Sequence, residues 1–181
     1  EAFDQLIPKQ GKITDIGCGL GPLSYMLSML SPEREILGID YDKEKITIAQ
    51  NGWLRSNNLN FVCANAIEYD LPVSVVFILS DMLHYMSIED QSKLIEKCVD
   101  KLHSNGSIII RDGNKEKGKK HKVTQFTEIL STRIFKFNKT TGDLVFSSES
   151  EINALAKQNN LSVKIIPNDK DTSNTIYLLQ K

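Results

Sequence analysis

The sequence has no surplus of charge of either sign: 22 Lys and Arg stand against 23 Asp and Glu over 181 residues, a net charge of −1. A general nucleic-acid binder is expected to carry a basic excess, so no specific nucleic-acid partner is expected. Cysteine is scarce too. Cys18, Cys63 and Cys98 are odd in number, far apart and without a CxxC pair. That argues against a disulfide framework and a zinc site, so no metal is expected, and it fits a reducing, cytoplasmic compartment. Long hydrophobic runs are missing: the longest, Val75 to Leu79, is far too short to cross a bilayer, and no membrane span or signal peptide is expected. What is present is ordinary for a globular protein, 40% hydrophobic and 25% charged residues, in a length suited to one domain.

Strand-like and helix-like segments alternate along the chain. Lys12–Ile16 is a β run ending at a glycine cluster, after which Leu23, Met26, Leu27 and Leu30 recur at helical spacing until Ser31-Pro32. Glu35–Asp40 predicts a second strand, and Asp42 caps a helix expected over Lys43–Ser56 with Ile46, Ala49 and Trp53 on its inner face. Asn60–Ala64 follows as a strand. Val73–Ser80 reads as a central strand covered on both faces. Ser87 caps a helix whose stripe is Leu94, Ile95, Cys98 and Leu102, ended by Asn105-Gly106 before the strand Ser107–Arg111. Ser148 and Glu151 begin another helix carrying Ile152, Leu155 and Ala156 inward, and Leu161–Ile165 and Thr175–Gln180 pair as antiparallel strands. The repeats predict an α/β fold: a doubly wound, mostly parallel seven-stranded sheet with an antiparallel C-terminal strand and helices on both faces.

The sharpest local signal is Asp15-Ile16-Gly17-Cys18-Gly19-Leu20-Gly21 at the end of the first strand. Glycines there let the backbone turn tightly and approach a ligand. The dinucleotide fingerprint GxGxxG needs a third glycine where this chain has Pro22, and a Walker loop needs GK[ST], which is absent. Both observations disfavour NAD and ATP.

DIGCGLG resembles motif I of the class I S-adenosylmethionine-dependent methyltransferases. The resemblance implies S-adenosylmethionine as cofactor, contacted by Asp15, Gly17, Cys18, Gly19 and Gly21. It implies Asp40 on the ribose hydroxyls, Tyr41 against the adenine, Asn65-Ala66 at the adenine edge and Asp81 at the methionine end. Most members have Asp where this chain has Asn65. Four of these residues also have a plainer reading: Asp15 as a cap of the glycine turn, Asn65 as a turn residue, Asp40 as a helix-start residue, and Cys18 as inert filler.

Methyl transfer needs alignment of donor and acceptor, with a base only where the acceptor loses a proton. His84, just past the fourth strand in Ser80–Tyr85 (SDMLHY), is the candidate base, with packing at a helix start as the alternative; Tyr85 is the candidate acceptor wall. Residues 112–147 form an insertion and a candidate acceptor-binding region. Six Lys or Arg against two acids fall within 111–122, and Phe126, Phe135, Phe137 and Phe146 follow. A solvated loop and a small satellite core are the plainer readings of these two features.

The expected activity is therefore methyl transfer to a small-molecule or lipid-like acceptor, with O- or C-methylation favoured because SDML replaces the Asp/Asn-Pro-Pro-Tyr/Phe motif. A catalytically silent cofactor-binding module and, less favoured, an NAD-linked oxidoreductase are the competitors. Residues 1–181 read as a single methyltransferase domain. With Glu1 rather than Met at the start and about a dozen residues before motif I, a longer polypeptide with other domains is expected.

Overall fold

A computed structural model describes residues 2–113, 145–167 and 174–181. The elements run α1 (Ala2–Leu6), β1 (Gly11–Ile16), α2 (Pro22–Leu30), β2 (Arg34–Asp40), α3 (Lys43–Gln50) and β3 (Leu59–Cys63). After β4 (Ser74–Ser80) comes a 3-10 turn (Leu83–Tyr85), then α4 (Ile88–Asp100) and β5 (Leu102–Gly113). The chain closes with α5 (Glu149–Gln158), β6 (Ser162–Pro167) and β7 (Asn174–Gln180). The seven strands make one sheet in the order β3-β2-β1-β4-β5-β7-β6. The first five are parallel, and β7 runs antiparallel to both β5 and β6. This is the doubly wound sheet with an antiparallel C-terminal strand that the alternation of segments predicts.

Period-two alternation splits the core between the faces. Phe77 and Leu79 of β4 pack with Leu94, Ile95 and Cys98 of α4 and Ile152 and Ala156 of α5. Val76 and Ile78 pack on the other face with Leu27 of α2 and Ile46 and Ala49 of α3. Because β1 to β5 are parallel, their carboxyl ends share one edge of the sheet, where ligands bind in such folds. Among the described residues no helix is long and apolar enough to cross a membrane.

The caps behave as their sequences require. Ser148 Oγ accepts from Glu151 N at 3.2 Å, and Glu151 Oε2 accepts from Ser148 N at 2.7 Å, completing the reciprocal box. Ser87 accepts from Asp90 N and starts α4.

Three helices differ from the sequence reading. Helix α3 stops at Gln50 and Trp53 is fully exposed, outside the helix. The Tyr25 hydroxyl donates to Ala49 O at that end, and a Cβ on Gly52 would stand 2.2 Å from the Tyr25 oxygen, so the chain must leave the helix there. On α2 the buried face is Ser24, Tyr25, Leu27 and Ser28, while Met26 and Leu30 face outward. The serines satisfy their hydroxyls on Asp15 and on Tyr25 O, which lets a partly polar face lie against the sheet. Helix α4 stops at Asp100, short of Asn105-Gly106, and Leu102, expected in its stripe, instead opens β5, whose pairing with β4 takes it up opposite Ser74 and crosses an irregularity between Ser74 and Val76.

Candidate active site

The turn after β1 is a left-handed staircase, with φ of 73° at Gly17, 58° at Gly19 and 80° at Gly21. It is bound inward. Gly17 N and Cys18 N donate to Ile39 O at 2.7 and 3.1 Å, Gly21 N donates to Cys18 O, and Gly19 N donates to Asp40 Oδ2 at 2.9 Å. A pyrophosphate needs those N–H groups, and here they are already engaged beside two carboxylates, Asp15 and Asp40. The loop therefore suits a ligand without phosphates. At Gly19 nothing lies within 4 Å of where a Cβ would stand, so the backbone opens onto a space that a ligand can fill.

Asp40 ends β2 and is 8% exposed, with Oδ2 on Gly19 N and Oδ1 on Asp42 N, both at 2.9 Å. Each oxygen keeps a second acceptor site, enough for a vicinal diol. Asp42, whose side chain accepts from Glu44 N and Lys45 N, is the α3 cap. The capping task therefore falls to Asp42, and Asp40 instead ties the glycine loop to the end of β2. Tyr41 follows, 57% exposed. Cys18 is buried, and burial pushes its thiol far up, which leaves it unreactive.

Beneath the loop, Asp15 is buried and accepts from Ser24 Oγ at 2.5 Å. Burial pushes its carboxyl from 3.8 up to about 6; Asp40 adds to the rise and the Ser24 bond opposes it. The native state thus holds this proton more tightly than the unfolded chain does. The stability it contributes is full below about pH 4 and is lost as pH rises through 6. Asp15→Asn keeps the acceptor oxygen but cannot ionise, so its melting temperature minus the parent's is expected to rise between pH 4 and 7 in thermal scans. A pH-independent difference contradicts the ionisation.

Asn65 follows β3 and is engaged locally. Its Oδ1 accepts from Ile67 N at 3.1 Å and its Nδ2 donates to Glu68 Oε1 at 3.2 Å, while Ala66 O accepts from Lys97 Nζ.

At the end of β4, Asp81 takes a left-handed φ of 54° and pairs with Arg111 of β5. Burial raises its carboxyl, while Arg111 pulls it down. The next residue, Met82, packs on the glycine loop: a Cβ on Gly17 would stand 2.7 Å from Met82 Cβ. So the ends of β1 and β4, and with them Asp81, are brought together at one edge.

His84 lies deeper, at 1% exposure. Its Nδ1 meets Asp112 Oδ1 at 2.6 Å, its N donates to Asp112 Oδ2, and its ring stacks on Phe146 at 4.7 Å and tilts against Tyr85 at 4.2 Å. The returning chain is fastened here: Val145 N donates to His84 O, Gln91 Nε2 donates to Val145 O, and Ser147 Oγ donates to Gln91 Oε1. The sequence places Arg111, Asp112 and Asn114 at the end of the fifth strand, on the edge where ligands bind; it does not mark Gln91, and only the register of β5 and the face of α4 bring Asp112 to His84 and Gln91 to Val145. Asn114, Lys115–Lys122, Phe126, Phe135 and Phe137 lie outside the described residues.

Three comparisons bear on this arrangement. The family model "Methyltransferase domain" matches residues 13–106. "Ribosomal RNA small subunit methyltransferase C" of Hamiltonella defensa subsp. Acyrthosiphon pisum is 27% identical over 99 residues, 55% of this chain and 29% of that protein. "Carboxy-S-adenosyl-L-methionine synthase" of Shewanella sp. is 22% identical over 114 residues, 60% of this chain and 47% of that protein. The chain therefore spans less than half the length of these curated relatives. Among solved structures, CalO1, a methyltransferase of calicheamicin biosynthesis in its S-adenosylhomocysteine-bound form, superposes with a TM-score of 0.75 at 16% identity. That match covers 96% of this chain and 50% of CalO1.

Proposed function

This chain belongs to the methyltransferase-domain family, and from that premise we propose that it transfers a methyl group from S-adenosylmethionine to a small-molecule or lipid-like acceptor. The observation that carries the reading is the glycine loop, open at Gly19, with the N–H groups of Gly17, Cys18, Gly19 and Gly21 spent internally and Asp40 beside it. A nucleoside without phosphates, bearing a sulfonium cation, is compatible with that loop and its two acids, which disfavour a pyrophosphate. When bound, the cofactor supplies an activated methyl group. Gly17, Cys18, Gly19 and Gly21 would hold its middle, Asp40 the ribose hydroxyls, Tyr41 and Asn65-Ala66 the adenine, and Asp15 and Asp81 the methionine end. His84 and Tyr85 would lie on the acceptor side, with His84 fixed by Asp112.

The absence of a basic surplus favours a small acceptor over RNA, although one relative is named for ribosomal RNA. The segment 112–147, most of it outside the described residues, is the proposed acceptor-recognition region of a single cytoplasmic methyltransferase domain.

Asp40→Ala removes both the diol acceptor and the tie to Gly19. S-adenosylhomocysteine affinity is expected to fall at least tenfold, each tenfold step being about 1.4 kcal/mol, while the circular-dichroism spectrum stays that of the folded parent. Equal affinity in the folded variant removes Asp40 from the site.

A further inference from the structure

We propose that Arg111, oriented by Asp81, is a binding site for a carboxylate group of the acceptor. This rests on the methyltransferase reading, which places the acceptor over the ends of β4 and β5.

The backbone of Arg111 is fixed on both sides, in register with Ser80 of β4 and opposite Ile176 of β7. Successive residues on a strand face opposite ways. Asp112 therefore turns to His84 and is consumed there by the imidazole, by His84 N and by Gly113 N. Arg111 points to the other face, the one that carries Ile109, Ile78 and Ile176. Its head thus caps an apolar stretch at the ligand edge of the sheet and is 26% exposed.

A guanidinium has five N–H donors in a rigid fork. Among the described residues it makes one bond, from Nη1 to Asp81 Oδ2. That partner is held in place: Asp81 N donates to Arg111 O at 2.7 Å, Ser80 Oγ donates to Asp81 Oδ2 at 3.2 Å, and the left-handed backbone of Asp81 sets the direction. Such a conformation in a non-glycine residue persists where its surroundings impose it. The remaining donors of Arg111 match a planar carboxylate, which such a fork grips bidentately.

Charge selects among anions. The groups around Asp81 are Arg111, Asp112 and His84. Asp112 is spent on His84 and Asp81 alone pairs with the guanidinium, so a phosphate dianion meets more repulsion from Asp81 than a monoanion does. The acceptor class this defines is a carboxylic acid on an apolar body.

Benzoate is the probe, titrated into the full chain loaded with S-adenosylhomocysteine. NMR of the guanidinium protons is expected to show the Arg111 signal moving saturably. Arg111→Gln is expected to weaken benzoate at least tenfold, and by a larger factor than it changes S-adenosylhomocysteine affinity through Asp81. Arg111→Lys, which keeps the charge but not the fork, is expected to fall between them. Should Arg111→Gln fail to fold, the parent's Arg111 signal and the Lys variant decide. A protein that binds S-adenosylhomocysteine but whose Arg111 signal ignores benzoate overturns the proposal, as does inorganic phosphate binding at Arg111 as tightly as benzoate. Failure to bind S-adenosylhomocysteine at all instead overturns the methyltransferase reading.

Discussion

Arg34→Ala is expected to destabilise the fold by about 3–5 kcal/mol, from backbone carbonyls left without their donors together with the cavity left behind. Arg34 is the first residue of β2 and is wholly buried. Its Nε donates to Pro8 O at 2.8 Å, Nη2 to Ile7 O at 2.9 Å and Nη1 to Leu27 O at 3.3 Å, and Nη1 pairs with Asp4 at 2.8 Å. One side chain thus ties α1, the chain after it and the carboxyl end of α2 to the start of β2. Truncation leaves buried carbonyls without donors and a cavity around them. Arg34→Met fills most of that cavity, and Asp4, at 21% side-chain exposure, returns to water, so this variant is expected to cost less. Denaturant titration measures both. Because Arg34 begins its strand while the glycine loop lies at the opposite edge, S-adenosylhomocysteine affinity is expected to stay near the parent's. A loss under about 1 kcal/mol for Ala contradicts the tethering role.

Gly17→Ala is expected to cost about 2–4 kcal/mol, from left-handed backbone strain together with overpacking. At φ 73° the new methyl would stand 2.7 Å from Met82 Cβ and 2.9 Å from Met82 Cγ, atoms close to the backbone that cannot swing aside. The end of β4 must move, carrying Asp81 with it, and S-adenosylhomocysteine affinity is expected to drop at least thirtyfold. Gly19→Ala is the control. It also sits at positive φ but meets nothing within 4 Å, so its stability cost is expected to be the strain alone, about 1–2 kcal/mol. Its methyl enters the space assigned to the ligand, so binding should suffer more than folding. Calorimetry and thermal denaturation on both variants separate the effects; equal behaviour of the two contradicts the packing of Met82 on Gly17.

Much of the fold was legible because its signals are local. The apolar run at β4, the glycine turn after β1 and the Ser148–Glu151 pair each carry their own geometry within a few residues. The shortened α3 was not legible, because what ends it is Tyr25, 24 residues upstream of the carbonyl it caps. The inward face of α2 departs from the spacing of Leu23, Met26, Leu27 and Leu30 for a related reason: Ser24 and Ser28 are polar by type but find acceptors within the fold. At the site, the glycines and Asp40 announced themselves by spacing. The clasp of Asp112 and Phe146 on His84 did not, because it needs β5 and the chain after residue 144 to converge on the turn after β4. Arg34 gave no sign either: an arginine opening a strand ordinarily reads as solvated, and only the carbonyls gathered around it hold it inside.

The central claim, a phosphate-free sulfonium nucleoside at the glycine loop, is tested most directly by titration calorimetry with S-adenosylhomocysteine and, separately, with NADH. Saturable binding of S-adenosylhomocysteine and no heat from NADH is the predicted result. Tight NADH binding with no response to S-adenosylhomocysteine would contradict it.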